Sequence, residues 1–438
     1  MRQNLLETYS RQLKVAEAYV AKNFDGKTVS ANTQLTTAVL LDNTNRFLTE
    51  SMSLDNSIVA TQRSDLGAWK KFCLNLTNIA VPSLIANDLV IVHPMTSYSG
   101  SVAYLEYVAK DTKGGVNEGD VLNSVFGFGA NDEARINYTS QIVVENGTTA
   151  TMDVVEGGLT YIAEDGVDVK TATYKSVMED GSFVYGDTVA EDAVKIAYVA
   201  KRWQMSTIPA DRIPTIGPRM KRIPLVAEPR RIAVRYDQIT AFQAKTDYGF
   251  SLDKQIAEQA CGELAFEIDT EIVDMLYKAA FDHEECLEWS KTLPVGVSKF
   301  EHYNGFLEVV EEAKMIIYNR TRKFHPNYMV IAADVLPVLK FVNGFNAVKN
   351  AKMNGPYKVG EIDGMDVYVS PLIKSGEFFL GLNGSDMMSS AGVYAPYMAI
   401  VPTALLSTPD GGMAQGFSTW YAKALLNKNL LVAGRITK

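Results

Sequence analysis

The sequence predicts an α+β protein whose parts are laid out along the chain instead of being gathered into one lobe. Three observations predict it. The run from Ser251 to Phe281 contains no proline, one glycine, and apolar residues at helical spacing. Residues 100–205 alternate short β-prone runs with Gly-Gly, Asn-Gly and Asp-Gly turns. Beyond residue 304, helix and strand patterns follow one another closely, as in a layered α/β unit. At 438 residues the chain is too long for a single core.

Residues 1–80 read as an N-terminal arm, mainly helical and polar, with Leu5, Leu6, Leu13, Val15 and Ala18 in an irregular amphipathic pattern. The tract Thr28 to Thr37 is rich in Ser, Thr and Asn and predicts a loop. Ser64 or Asp65 is placed to cap a helix through Trp69 to Leu76. The stretch Val81 to Gly100 then predicts a short helical turn and an apolar strand around Leu89 to Val92. Pro94, which cannot donate a ladder hydrogen bond, ends that strand. Its apolar residues offer no chemistry and can only be buried.

Residues 101–222 predict an extended β loop carrying an inserted β lobe. Strands are expected at Ser101–Val108, Gln141–Val144, Tyr161–Ala163 and Lys195–Val199, with hairpin turns at Asn146-Gly147, Asp165-Gly166 and Asp180-Gly181. Such a length is far too great for an ordinary loop. Pro209, Pro214, Pro218, Pro224 and Pro229 forbid a helix over 206–236 and favour an extended, edge-like path. Ile232, Val234 and Tyr236 alternate with Ala233 and Arg235 as in a strand.

The spine helix, 251–281, buries Ile256, Ala260, Leu264, Ile268, Ile272 and Met275, with Leu276 and Ala279 beyond, and Ser251 is its expected N-cap. At 1.5 Å per residue it is about 45 Å long. Together with 81–100 and the rest of 223–300 it makes one predicted domain. Residues 301–415 make a second, α/β domain: a helix from Asn304 to Arg320, a strand Tyr328–Ala332, and a short helix to Leu339 capped by Asp334. A hairpin over Val359–Ile362 and Met365–Val369 turns at Asp363-Gly364. Strands are expected at Glu377–Leu382, Gly392–Tyr394, Phe417–Ala422 and Asn429–Val432, with 416–438 returning to the first domain.

Composition is that of a globular protein, 47% hydrophobic and 21% charged. No apolar run approaches the ~20 residues that span a bilayer, so no membrane partner is expected. Cys73, Cys261 and Cys286 are too scattered for a disulfide framework. The net charge of −9 argues against a general nucleic-acid binder. Charge is nonetheless segregated. Acidic residues dominate from Glu106 to Asp192, whereas Lys201, Arg202, Arg212, Arg219, Lys221, Arg222, Arg230, Arg231 and Arg235 face only Asp211 and Glu228 over the next segment. Such a basic segment reads either as solvated or internally salt-bridged residues, or as an inter-subunit docking surface for acidic surfaces. Contact with DNA is a third reading, weakened by the lack of interleaved aromatic residues.

No catalytic constellation emerges. His93, His283, His302 and His325 stand at no metal-ligand spacing, and His283-Glu284-Glu285-Cys286 reads as a solvated helix end. The Gly-rich pieces lack a phosphate-binding pattern. No cofactor and no metal are expected, and the chain reads as no enzyme.

Four blocks resemble, in order, the major capsid proteins of T-even-type tailed phages. They are Leu84 to Val90 with Pro94-Met95 and Gly100, the spine with its EIDTEIVDML, Tyr328 to Leu336, and Ala391 to Tyr397. Residues 100–230 and the N-terminal arm show no matching text. The resemblance implies the tailed-phage major capsid protein (Johnson) fold: a peripheral domain around the spine helix, an axial domain at residues 301–415, an extended β loop and an N-terminal arm. It further implies a virion shell protein, assembled in the host cytoplasm into hexamers and vertex pentamers around double-stranded DNA. Portal, scaffold, decoration and vertex proteins are the implied further partners. A maturation cut after a Leu/Ile-x-Glu motif is also implied. Leu48-Thr49-Glu50 fits it, making Glu50 the candidate site, although Leu5-Leu6-Glu7 fits as well. Two alternatives stay open: an encapsulin-like nanocompartment shell, and a cytosolic enzyme whose site is assembled from distant residues.

Overall fold

The computed structural model describes residues 2–23, 29–54, 81–111, 116–124, 142–145, 153–162, 169–172, 174–177, 183–185, 195–202, 215–247, 252–348, 355–384, 389–403, 406–407 and 412–437, with isolated exceptions. The chain folds into two compact units, one of Met1–Val102 with Arg222–Lys438 and one of Ala103–Lys221. Helices and strands are mixed throughout, an α+β fold.

In the first unit, helices α1 (Arg2–Thr8), α2 (Ser10–Asn23) and α3 (Ala31–Leu54) open the chain. The tract Thr28–Thr37 is therefore not all loop. Ser30 accepts a hydrogen bond from the Thr33 amide at 3.2 Å and starts α3, while the Thr36 and Thr37 hydroxyls donate to Asn32 O and Thr33 O inside the helix. The same short polar side chains that favour turns also cap a helix and bond back to it. The expected helix after Ser64 lies outside the described residues. A turn of helix, Ala86–Leu89, follows, and the apolar strand shrinks to β1 (Ile91–Val92) because Leu89 is spent on that turn.

The spine helix runs from Leu252 to Phe281, and the expected cap Ser251 lies outside the described residues. Its two halves face different sheets. Ala257, Ala260, Cys261 and Leu264 cluster with Ile400 and Phe417, and with half-buried Ile232 and Val234. Ile268, Ile272, Val273, Leu276 and Ala280 join the main core instead, with Phe306, Val310, Phe378 and Phe379.

The strands number on from β1: β2 (Ser99–Ala109), β3 (Val121–Ser124), β4 (Ile142–Glu145), β5 (Asp153–Ile162), β6 (Val169–Ala172), β7 (Tyr174–Val177), β8 (Phe183–Tyr185), β9 (Lys195–Arg202), β10 (Ile216–Val226), β11 (Glu228–Asp237), β12 (Cys286–Ser290), β13 (Tyr328–Ile331), β14 (Asn346–Ala347), β15 (Tyr357–Ile362), β16 (Met365–Val369), β17 (Glu377–Gly381), β18 (Gly392–Pro402), β19 (Leu406–Ser407), β20 (Gly412–Leu425) and β21 (Val432–Thr437). One sheet has the order β1-β18-β20-β11, with β19 beside β20, and a mixed seven-stranded sheet has the order β12-β21-β17-β13-β16-β15-β14. Strands β10 and β11 both lie at sheet edges. That placement follows from Pro218, Pro224 and Pro229, which lack an N–H for a second ladder.

Several expectations shift. The helix expected from Asn304 to Arg320 is two, Lys299–Asn304 and Phe306–Thr321, because Ser298 and Glu301 form a capping box that starts an earlier turn. Asp334 does not cap the helix Leu336–Leu339. Its carboxylate instead accepts from Ser375 Oγ (2.6 Å) and Gly376 N (3.1 Å), tying two loops. The stretch at Asn429 is a 3-10 turn, Lys428–Leu430, before β21. Strands β12 and β21, expected beside the spine and returning to its domain, pair with each other in the seven-stranded sheet, and Cys286 begins β12 instead of extending a helix end. The β15–β16 hairpin is as expected, with Asp363 at φ 47° and Gly364 at φ 74° supplying the two left-handed positions of its turn.

In the second unit, β5–β6 and β7–β8 pair as hairpins around Asp165-Gly166 and Asp180-Gly181. Asn146-Gly147 does not make one: β9 lies between β4 and β5 and pairs with both. Local turn chemistry cannot see a strand that returns fifty residues later.

Candidate intersubunit surfaces

The basic segment is where the sequence placed its docking residues, and the structure sorts them. Lys201 and Arg202 end β9, but their side chains, like all of Arg212, lie outside the described residues. Arg219 and Lys221 share the buried carboxylate of Glu106: Arg219 Nη2 donates at 2.7 Å and Lys221 Nζ at 3.2 Å to its two oxygens. Burial pushes the Glu106 carboxyl up, but these two cations overcome it and hold it below the usual carboxylate range. Both residues act inside the unit.

Arg230 is also internal. It points to the spine from β11, donating to Glu271 Oε1 at 2.9 Å and Oε2 at 3.1 Å, with its guanidinium 5.4 Å from the Tyr421 ring centre. Lys423 Nζ (2.8 Å) and Tyr421 Oη (2.9 Å) bond the same carboxylate, so Glu271 is the hub that ties the spine helix to β11 and β20. Arg222 and Arg231, by contrast, are exposed. Strand alternation explains the split on β11: Arg230, Ile232, Val234 and Tyr236 turn inward, and Arg231 and Arg235 turn outward.

The Glu271 hub has a pH signature. Burial raises its carboxyl pKa, yet Arg230, Lys423 and Tyr421 together bring it from 4.5 down to about 2. A depressed carboxylate stabilises the fold fully above its unfolded pKa and loses that contribution as pH falls toward the folded value. Stability should therefore drop between pH 4.5 and about 2 by at most about 3 kcal/mol from this group. Urea midpoints measured across that window should fall less steeply in Glu271→Gln than in the parent; equal slopes would show the hub to be energetically silent.

A second feature escaped the sequence reading. On β2, Val102, Glu106 and Val108 are buried, whereas Leu105 and Tyr107 are 43% and 46% exposed. On neighbouring β10, Arg219 and Lys221 share the Glu106 side, so Ile216 and Met220 (49% and 60% exposed) lie on the side of Leu105 and Tyr107. One face of this three-stranded sheet is thus apolar and open. The alternation in SVAYLEYVA carried the signal, but nothing local says which of its two half-apolar faces is covered.

The site search ends without chemistry: among the described residues no group of three or more His, Cys, Asp or Glu is placed to hold a metal ion. His283 and His302 bond backbone carbonyls of Lys428 and Ser290. No described helix is long and apolar enough to cross a membrane.

Comparison with known proteins agrees with this picture of surfaces. A family model described as major capsid protein Gp23 matches residues 66–436. The major capsid protein of Enterobacteria phage T6 is 23% identical over 395 residues, which cover 80% of this chain and 76% of that protein. That of Enterobacteria phage T4 is 22% identical over 396 residues, covering 80% and 73%. Similar solved structures include one from Microbacterium phage Oxtober96, with a TM-score of 0.40 and 12% identity over 87% of this chain and 94% of that one. Another is a virus-like particle from Pyrococcus furiosus, with a TM-score of 0.33 and 11% identity over 50% and 81%. The family match takes in the spine, both sheets of the first unit and the whole second unit: the chain belongs to the Gp23 family of major capsid proteins and is a structural protein of the phage virion shell.

Proposed function

We propose that this chain forms hexamers, and pentamers at the vertices, of an icosahedral head that encloses double-stranded DNA without reading its sequence and without a catalytic step of its own. The observation that carries this reading is the open apolar face of Leu105, Tyr107, Ile216 and Met220 on a chain of a self-assembling shell family. Apolar residues grouped on one sheet face require a partner layer, and in a shell that layer is another subunit. The exposed Arg222 and Arg231 are the docking residues that remain after the internal ion pairs are assigned, set against acidic surfaces of neighbouring copies.

In this reading residues 101–222 are the extended β loop with its lobe, 81–100 and 223–300 the peripheral domain, 301–415 the axial domain and 1–80 the arm. Portal, scaffold, decoration and vertex proteins are its further partners. A maturation cut after Glu50 fits the arm. Glu50 falls in the backbone of α3, so that helix must unwind locally before a protease can take it. The same helix carries the buried Leu40, Leu41 and Leu48.

Negative-stain microscopy of the purified chain tests the function. Large shells are expected; small particles loaded with protein cargo would favour an encapsulin-like compartment, and a monomer by light scattering would sink the shell reading. The face is tested by Leu105→Lys with Met220→Lys. Assembly yield should fall at least about tenfold, the effect of losing a desolvated hydrophobic contact, with the far-ultraviolet circular dichroism unchanged. Shells forming at the parent's yield would remove this face from the contact.

A further inference from the structure

Strand β1 is two residues long and pairs in parallel with the start of β18, Ile91 opposite Val393 and Val92 opposite Tyr394. Two more bonds prolong the pairing, from His93 N to Tyr394 O (2.8 Å) and from Met95 N to Pro396 O (2.9 Å). Beyond them β18 continues to Pro402 with no strand on that side among the described residues. A bare strand edge is a template for pairing with another chain, and proteins cover such edges.

The cover is α3. Leu40 clusters with Val81 and Ala399, and Asn43 Nδ2 donates to both Met95 O (2.8 Å) and Tyr397 O (2.7 Å), the carbonyls at the point where β1 gives out. Met398, Ala399, Ile400 and Val401 are consequently buried although they lie on the edge. Tyr9, at the junction of α1 and α2, and Glu17 of α2 back the cover: Tyr9 Oη donates to Asp42 (3.3 Å), and Gln34 Nε2 donates to Glu17 (2.7 Å).

This cover is poorly glued. The buried side of α3 includes Thr33, Thr36, Thr37, Asn43 and Thr44, and the Thr36 and Thr37 hydroxyls spend their bonds on their own helix. Thr44 Oγ1 and Asn45 Oδ1 are buried without a hydrogen-bond partner, a cost that undocking α3 would relieve. Small and polar contact residues bury little apolar area, so the docked helix is held by few strong terms.

We propose that α3 is an in-cis cover of the β18 edge, and that when it lifts the edge at Tyr397–Val401 pairs with an extended segment of a second copy of this chain. Extended backbone supplies N–H donors at the spacing of the Met95 and Tyr397 carbonyls that Asn43 now serves. Val81 and Ala399, uncovered beside them, form a shallow apolar floor that admits only small side chains. The inference rests on the shell reading, in which copies of this chain are the neighbours at high local concentration. It adds that monomers are kept from pairing by their own arm.

The test uses the full chain and two opposed variants. Asn43→Leu keeps the size of the side chain and removes both donors. It should raise hydrogen exchange over 397–401 about tenfold, as local opening becomes easier, and speed association measured by light scattering. Leu40→Cys with Ala399→Cys joins the cover to the edge: in its oxidised form association should be suppressed, and a reductant should restore it. Faster exchange in Asn43→Leu with unchanged association, or an oxidised double-cysteine protein that assembles at the parent's rate, would overturn the inference. The parent's own assembly, scored alongside, separates that failure from failure of the shell reading.

Discussion

Leu264→Asp is expected to leave no soluble, assembly-competent protein. Leu264 is 1% exposed at the middle of the spine, in the cluster where the helix meets Ile400 and Phe417. The substitution removes a large apolar side chain and sets a carboxylate where no cation faces it among the residues of that cluster. A cavity and an unpaired buried charge together cost on the order of 5 kcal/mol, comparable to the whole stability of a typical domain. Leu264→Met, which conserves volume, should cost below about 1.5 kcal/mol and assemble normally. Soluble yield and particle formation of the two variants, side by side, check the assignment. Normal shells from Leu264→Asp would mean that the spine does not organise the fold.

The second large effect is expected at Asp269, one turn further along. Its carboxylate is buried and accepts from Ala86 N at 2.9 Å and Ile85 N at 3.2 Å, so a side chain of the spine caps the helical turn Ala86–Leu89 from outside. Two amides of that turn depend on it, because the residue at the turn's own N-cap, Ile85, has no side-chain acceptor to offer. Asp269→Ala leaves both amides unsatisfied and should cost about 2–4 kcal/mol. Asp269→Asn keeps one acceptor oxygen and should lose less. Chemical denaturation gives the totals. Hydrogen exchange over 84–92 tells whether the loss is local to the turn, as this geometry requires. Equal stability of parent and Asp269→Ala would refute the cap.

The elements that could be read from the chain are those whose signal is local. The spine was legible because thirty residues without proline, with apolar side chains at three- and four-residue spacing, have one way to bury them. The Asp363-Gly364 hairpin was legible because both turn residues need positive φ, and the edge placement of β10 and β11 because proline lacks the donor a central strand needs. The elements misread are those where the same residue type serves two purposes. Ser30 and the threonines after it suit a turn and a helix start equally. Asp334 sits at a helix start but is taken by Gly376, forty-two residues on. Asn146-Gly147 makes a good turn, yet β9 claims both flanking strands.

The candidate surfaces divide in the same way. The clustering of basic residues over 201–235 is a property of the chain, visible without coordinates. Which of them are free is not: Arg230 and Arg231 are neighbours, and only the pleat of β11 sends one to Glu271 and the other to solvent. Asp269 looked like one more acid on a polar helix face until Ile85 was beside it, and Leu105 and Tyr107 looked like core until Glu106 took the covered side. The sequence by itself determined the α+β class, the spine, the edge strands and, through four blocks of resemblance, the family. Pairing between distant segments decided the rest, because the free energy of a carboxylate, an edge or an apolar face depends on what lies against it, and the partner is chosen by the fold and not by the neighbouring letters.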